Sequence, residues 1–92
     1  MDKLSALSSF VNAVRLGSFS AAATHLGVSQ PAVSQQVRSL EDTLGTRLIN
    51  RTTRRLSLTE AGEAYVGRVR AILAEVDAAG EQAQRVAAGT EG

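Results

Sequence analysis

Pro31, Ser34, Gln35 and Arg38 recur at spacings of three, one and three, so on a helix they share one face. Serine, glutamine and arginine present hydrogen-bonding groups that match base edges in the DNA major groove, arginine suiting guanine and glutamine suiting adenine. Glu41 and Asp42 follow a turn later, where a helix inserted by its N-terminal end would be leaving the groove, which keeps carboxylates away from phosphates. A second group of cations, Arg51, Arg54 and Arg55, lies in the polar stretch Arg51-Thr52-Thr53-Arg54-Arg55, a composition suited to phosphates or to the minor groove. Taken singly, each feature reads better as solvated surface, and for Arg55 a place on the returning strand, paired with Glu60 or Glu63, is an alternative. Together they point to a polyanion.

Other chemistries lack their residues. The chain has no cysteine and a single histidine, His25, which reads as a surface residue of a helix, so no metal site or Ser-His-Asp arrangement is marked. There is no Gly-rich phosphate loop after a strand and no carboxylate pair in an apolar setting. No catalysis, cofactor or metal is expected. The net charge of +1 hides an asymmetry: seven basic residues against two acidic between Lys3 and Thr59, then three basic against six acidic from Glu60 onward. No apolar run approaches the ~20 residues that span a bilayer, and the start Met1-Asp2-Lys3-Leu4 lacks the apolar segment of a signal peptide. The expected compartment is the cytoplasm, with no membrane partner.

Positioning these side chains requires particular elements. Leu4, Leu7, Val11 and Val14, with Phe10 beside them, form the apolar stripe of a first helix that stops at Gly17. Ser18 caps a short second helix with the small body Ala21-Ala22-Ala23, which ends at Leu26-Gly27. Ser29 caps the third, Pro31 stands in its first turn, and Val33, Val37, Leu40 and Leu44 face the core up to Gly45. A short middle helix between two longer ones, with small residues where helices cross, is the pattern of a helix-turn-helix, its core built on Leu7, Phe10, Val11, Val33, Val37 and Leu40. After Gly45 the period changes: Leu48-Ile49-Asn50 and Leu56-Ser57-Leu58 read as strands of a hairpin with a basic tip.

Thr59 caps a fourth, long helix. Tyr65, Val69, Ile72, Val76, Ala79, Ala83 and Val86 follow at alternating spacings of four and three, a heptad seam with Leu73 beside it. From Val76 onward this helix outruns a domain of this size, so a partner helix is expected there. The first turn, around Tyr65, serves equally well for packing on its own domain. Gly80 loosens the second half. The boundaries expected are 1–58 for the winged helix-turn-helix, 59–88 for the dimerisation helix and 89–92 for a frayed end.

At this point the chain resembles the LysR family of bacterial transcription regulators. The match runs from Phe10 to Val14 and from Gly17 to Gly62, with Ser29-Gln30-Pro31-Ala32-Val33-Ser34, Leu40-Glu41, Leu44-Gly45 and Leu58-Thr59-Glu60-Ala61-Gly62 in register. The resemblance implies a mainly helical fold, a winged helix-turn-helix followed by a linker helix that pairs two subunits through Tyr65, Val69, Ile72, Leu73, Val76, Ala79 and Ala83. It assigns Gln30, Pro31, Ala32, Ser34, Gln35 and Arg38 to the groove, Ser18 and Ser20 to the phosphate-facing start of the second helix, and Arg51, Thr52, Thr53 and Arg54 to the wing. It further implies a homodimer on double-stranded DNA with an imperfect palindrome, tetramers in full-length members, and a small-molecule effector bound by a C-terminal domain absent from this sequence; a piece of a longer protein is the favoured expectation, and a complete short protein the alternative. Ile49 departs from the family, which commonly has an aromatic residue there; this should alter packing under the wing and leave binding alone. The rivals are a winged helix that binds protein, which would show no salt-dependent affinity for DNA, and a small enzyme, which would need a cleft with perturbed titrating groups.

Overall fold

Side-chain caps and left-handed glycines divide the first half of the chain into three helices. In the computed structural model, which describes residues 2–51 and 55–89, these are α1 (Lys3–Leu16), α2 (Phe19–Leu26) and α3 (Gln30–Leu44). Ser18 Oγ accepts from the Ala21 N–H at 3.0 Å and Ser29 Oγ from the Ala32 N–H at 3.2 Å, so each hydroxyl satisfies a donor that the helix leaves unpaired. Gly27 ends α2 at φ 71°, a left-handed conformation that an L side chain would strain, and the chain re-enters helix three residues later at Gln30.

Small side chains let these helices approach. Ala13, Ala22, Ala23 and Val33 are buried together where α1, α2 and α3 meet. A larger cluster of Ala6, Leu7, Phe10, Val11, Val37 and Leu40 lies alongside and receives the rest of the fold. Ser9, buried on α1, donates to Gln36 Oε1 of α3, so the one polar side chain on that inner face of α1 is matched across the interface. Leu4 and Leu44, expected in the core, are exposed. Each stands on the outermost turn of its helix, beyond the elements that cover the rest of its stripe.

Strands β1 (Ile49–Asn50) and β2 (Ser57–Leu58) pair antiparallel with Ile49 opposite Leu58 and Asn50 opposite Ser57. So short a ladder has little stability of its own. Leu48 and Ile49 hold it to the body because both side chains are buried in the main core. Ile49 therefore packs into the core beneath the hairpin.

Helix α4 (Glu60–Ala87) starts at Thr59, whose hydroxyl accepts from the Gly62 N–H at 2.9 Å and donates to the Arg47 carbonyl at 2.7 Å. Its first turns belong to the core: Val66 and Val69 are buried, Tyr65 and Leu73 are half-buried against them, and the Tyr65 and Phe10 rings stand 6.0 Å apart. Val69, read from the sequence as a seam residue, is a core residue, and the inward stripe is Gly62, Val66, Val69 and Leu73. The seam that remains, Ile72, Val76, Ala79, Ala83 and Val86, is exposed, with Ile72 at 50% and Val76 at 47%. The long axis of 53 Å against 26 and 22 Å reflects the second half of α4 leaving the body.

Gly62 marks the closest approach. A Cβ added there would sit 2.0 Å from the Leu48 carbonyl oxygen, whereas one added at Gly67 meets nothing within 4 Å. Gly62→Ala should therefore lower stability by about 1–3 kcal/mol through overpacking, despite alanine's better helix propensity. Gly67→Ala should raise it by up to about 1 kcal/mol. Urea denaturation of both variants measures this, and a Gly62→Ala protein as stable as its parent would contradict the contact.

Candidate nucleic-acid interface

The inward stripe of α3 leaves a polar face pointing away from the core. Gln30, Pro31, Gln35 and Arg38 are exposed, Ala32 and Ser34 half-buried, and Pro31, Ser34, Gln35 and Arg38 border one shallow surface depression. These are the residues that the sequence grouped, and the helix brings them together. Arg38 has no ion-pair partner among the described residues, so its guanidinium is free to meet a ligand.

The start of α2 stands beside this face. Ser20 is exposed, and its hydroxyl lies 3.3 Å from Gln30 Oε1 across the turn. Ser18 uses its oxygen as the helix cap, which leaves its proton available to an outside acceptor. A cleft runs from here to the hairpin, lined by Ser18, Ser20, Gln30, Asn50, Arg51 and Arg55. It unites the first turn of α2, the first turn of α3 and the base of the wing. Helix N-termini with serine hydroxyls and nearby guanidinium groups suit an anion. Thr52, Thr53 and Arg54, assigned to the wing tip, lie outside the described residues. His25 is exposed at the end of α2, with its Nε2 3.4 Å from Arg15 Nη2.

Arg51 is placed differently from expectation. Its side chain is 26% exposed, and Nη1 lies 2.8 Å from Glu41 Oε1 and 3.1 Å from Oε2. Glu41, which the sequence placed a turn beyond the reading face, is 3% exposed; its Oε2 also accepts from the backbone N–H groups of Leu48 at 2.8 Å and Ile49 at 3.2 Å. Arg47 Nη1 stands 3.9 Å from Oε1 at the surface. The positive charge of Arg51 is thus neutralised inside the protein before any ligand arrives. The signal was present in the sequence: Glu41 sits four residues after Val37 and next to Leu40, on the flank of the apolar stripe, where a carboxylate needs a partner. Asp42, by contrast, is exposed.

Among the described residues, no group of three His, Cys, Asp or Glu side chains gathers to hold a metal ion, and no helix is long and apolar enough to cross a membrane.

Comparison with known proteins agrees with this geometry. Residues 4–63 match the family model of bacterial regulatory helix-turn-helix proteins, lysR family. An HTH-type transcriptional repressor of Pseudomonas aeruginosa (strain UCBPP-PA14) is 51% identical over 77 residues, which cover 84% of this chain and 24% of the relative. The HTH-type transcriptional regulator BudR of Klebsiella aerogenes is 48% identical over 83 residues, 90% of this chain and 58% of the relative. The chain therefore spans less than two thirds of the length of either. Among solved structures, the BenM DBD in complex with benA site 1 DNA superposes with a TM-score of 0.88 at 34% identity, covering 97% of this chain and 99% of that one.

The two arginines should part company in a stability measurement. Arg51→Ala leaves the buried Glu41 carboxylate without its cation and should cost about 2 kcal/mol. Arg38→Ala removes an exposed side chain and should stay within about 0.5 kcal/mol of the parent. Equal stabilities in chemical denaturation would mean that the Glu41 pair contributes nothing to the fold.

Proposed function

Because the chain belongs to the lysR family of bacterial regulatory helix-turn-helix proteins, we propose that it binds double-stranded DNA sequence-specifically as the DNA-binding part of a transcription regulator. The observation that carries this reading is the outward face of α3, with Gln35 and Arg38 exposed and Ser34 half-buried beside them, on a backbone that superposes on a domain solved with DNA. An α-helix fits the major groove, and from that face Arg38 and Gln35 reach base edges while Ser34 approaches the backbone or a base. Ser18 and Ser20, at the start of α2, meet a phosphate flanking the groove, where the helix dipole and unpaired N–H groups favour an anion. The residues Thr52, Thr53 and Arg54 of the wing supply the neighbouring contact, and Arg55 lines the cleft. Arg51 serves this arrangement chiefly as the partner of Glu41.

The exposed seam of α4 takes a second copy of the chain. Ile72, Val76, Ala79 and Ala83 form an apolar strip with no cover on their own domain, and Tyr65 and Leu73 flank its start. A twofold dimer presents two α3 helices to the half-sites of an imperfect palindrome. Where such a domain is joined to a C-terminal effector domain, we propose that the dimers pair further into a tetramer and respond to a small molecule. The setting is the bacterial cytoplasm, and the domain itself performs no catalysis.

Selection of bound duplexes from a random pool tests the reading and supplies the site. On that site Arg38→Ala or Gln35→Ala should lose about 1–3 kcal/mol of binding free energy while affinity for unrelated duplex changes little. Equal losses on both kinds of DNA remove these residues from base reading.

Ile72→Asp would bury an unpartnered carboxylate in the seam and should yield a monomer, because that cost is several kcal/mol. The core of each monomer does not include the Ile72 side chain, so the variant should remain folded. Its affinity for a full palindrome should fall toward that for a half-site, since two recognition helices ~34 Å apart bind together only when the dimer spaces them. Sedimentation and duplex titration decide this. A persistent dimer would move the interface elsewhere on the chain.

A further inference from the structure

The Glu41 carboxylate lies one turn beyond Arg38 on the same helix and is bonded to the opening of the wing. It accepts from the N–H groups of Leu48 and Ile49 and holds Arg51, the residue that leaves β1. A surface carboxylate would make such contacts loosely. At 3% exposure this one has lost its water and must keep all of them. The strands give the wing little stiffness, since each contributes two residues and the Asn50 side chain, 3.3 Å from Ser57 Oγ and from the Leu58 carbonyl, ties the strands to each other and not to α3. The apolar side chains of Leu48 and Ile49 hold the hairpin to the core, and the Glu41 carboxylate ties its opening and Arg51 to α3.

We propose that Glu41 is a positioning residue for DNA recognition: its carboxylate fixes the wing at one distance from the outward face of α3, so that groove reading and flank contact fall in one register. The inference rests on the reading of α3 and the wing as joint DNA contacts, and it assigns Arg51 to the fastening. Touching no DNA itself, Glu41 acts through Arg51 and the Leu48-Ile49 backbone.

Glu41→Gln separates the two parts of the fastening. With the amide oxygen in the Oε2 position, the acceptor for Leu48, Ile49 and one Arg51 contact remains, but the NH2 in the Oε1 position stands donor to donor with Arg51 and the negative charge is gone, which loosens the hold on Arg51. Arg51→Met removes the cation from the other side and keeps most of the apolar stem. Hydroxyl-radical footprinting on the selected duplex should show the wild type protecting the backbone both beside the α3 groove and on the outer flank. Each variant should keep the groove-side protection and the base preference, lose the flank protection, and bind about tenfold more weakly. The double variant should lose no more than either single one, because both break the same link. A merely structural role would lower every protection together, in proportion to the unfolded fraction seen by circular dichroism, and would overturn the proposal. So would a folded variant with the wild-type footprint and affinity. A wild-type chain that protects no duplex overturns the DNA-binding reading itself, which is a different result from a variant that binds as the wild type does.

Discussion

A single carboxylate held away from water constrains the second half of this fold. An uncompensated buried charge costs several kcal/mol, so Glu41 requires donors, and α3, whose own N–H groups are used within the helix, cannot supply them. The chain supplies them by turning at Gly45 and passing the N–H groups of Leu48 and Ile49 beneath the helix, with the Arg51 guanidinium closing the site. Once that path is set, the Leu48 and Ile49 side chains point into the core, β2 has a paired edge to add to, and Thr59 arrives where it can bond the Arg47 carbonyl and begin α4. The ion pair, the wing and the start of the long helix are one connected set of constraints.

The helix-turn-helix rests on the opposite chemistry. Ala13, Ala22 and Ala23 offer almost no side chain, so α1, α2 and α3 come close enough to exclude water with a modest buried area, and close-packed interiors tolerate little change of volume. The Ser9 to Gln36 hydrogen bond adds direction to an interface whose apolar contacts would otherwise allow sliding. Rigidity matters for the function proposed, because side chains that read base edges do so through hydrogen bonds with narrow tolerances of distance and angle.

Helix α4 serves two masters with two stripes. Gly62, Val66, Val69 and Leu73 face the domain, and Ile72, Val76, Ala79, Ala83 and Val86 face outward, the two sets overlapping near residue 72 where the helix leaves the body. In the dimer proposed above, a helix rooted in the core carries the orientation of one recognition helix to its partner. That rooting depends on the absence of a side chain at Gly62, where helix and the Leu48 backbone touch.

The sequence by itself determined the elements and the outward face of α3. Ser18, Ser29 and Thr59 cap where their hydroxyls imply, Gly17, Gly27 and Gly45 end helices in the left-handed conformation, and Ser34, Gln35 and Arg38 share a surface, because caps, turns and helical periodicity act over three or four residues. Tertiary structure alone decided what each face meets. Spacing places Val69 and Ile72 on one seam, but the main core buries the first and leaves the second bare, and Val66 enters the core on a stripe rotated from that seam. The sequence assigned Arg51 to the wing and Glu41 to the end of α3 without linking them, whereas the turn after α3 puts them 2.8 Å apart. Local sequence carries local energies; burial and pairing between segments ten or more residues apart depend on how the chain returns, which no short spacing records.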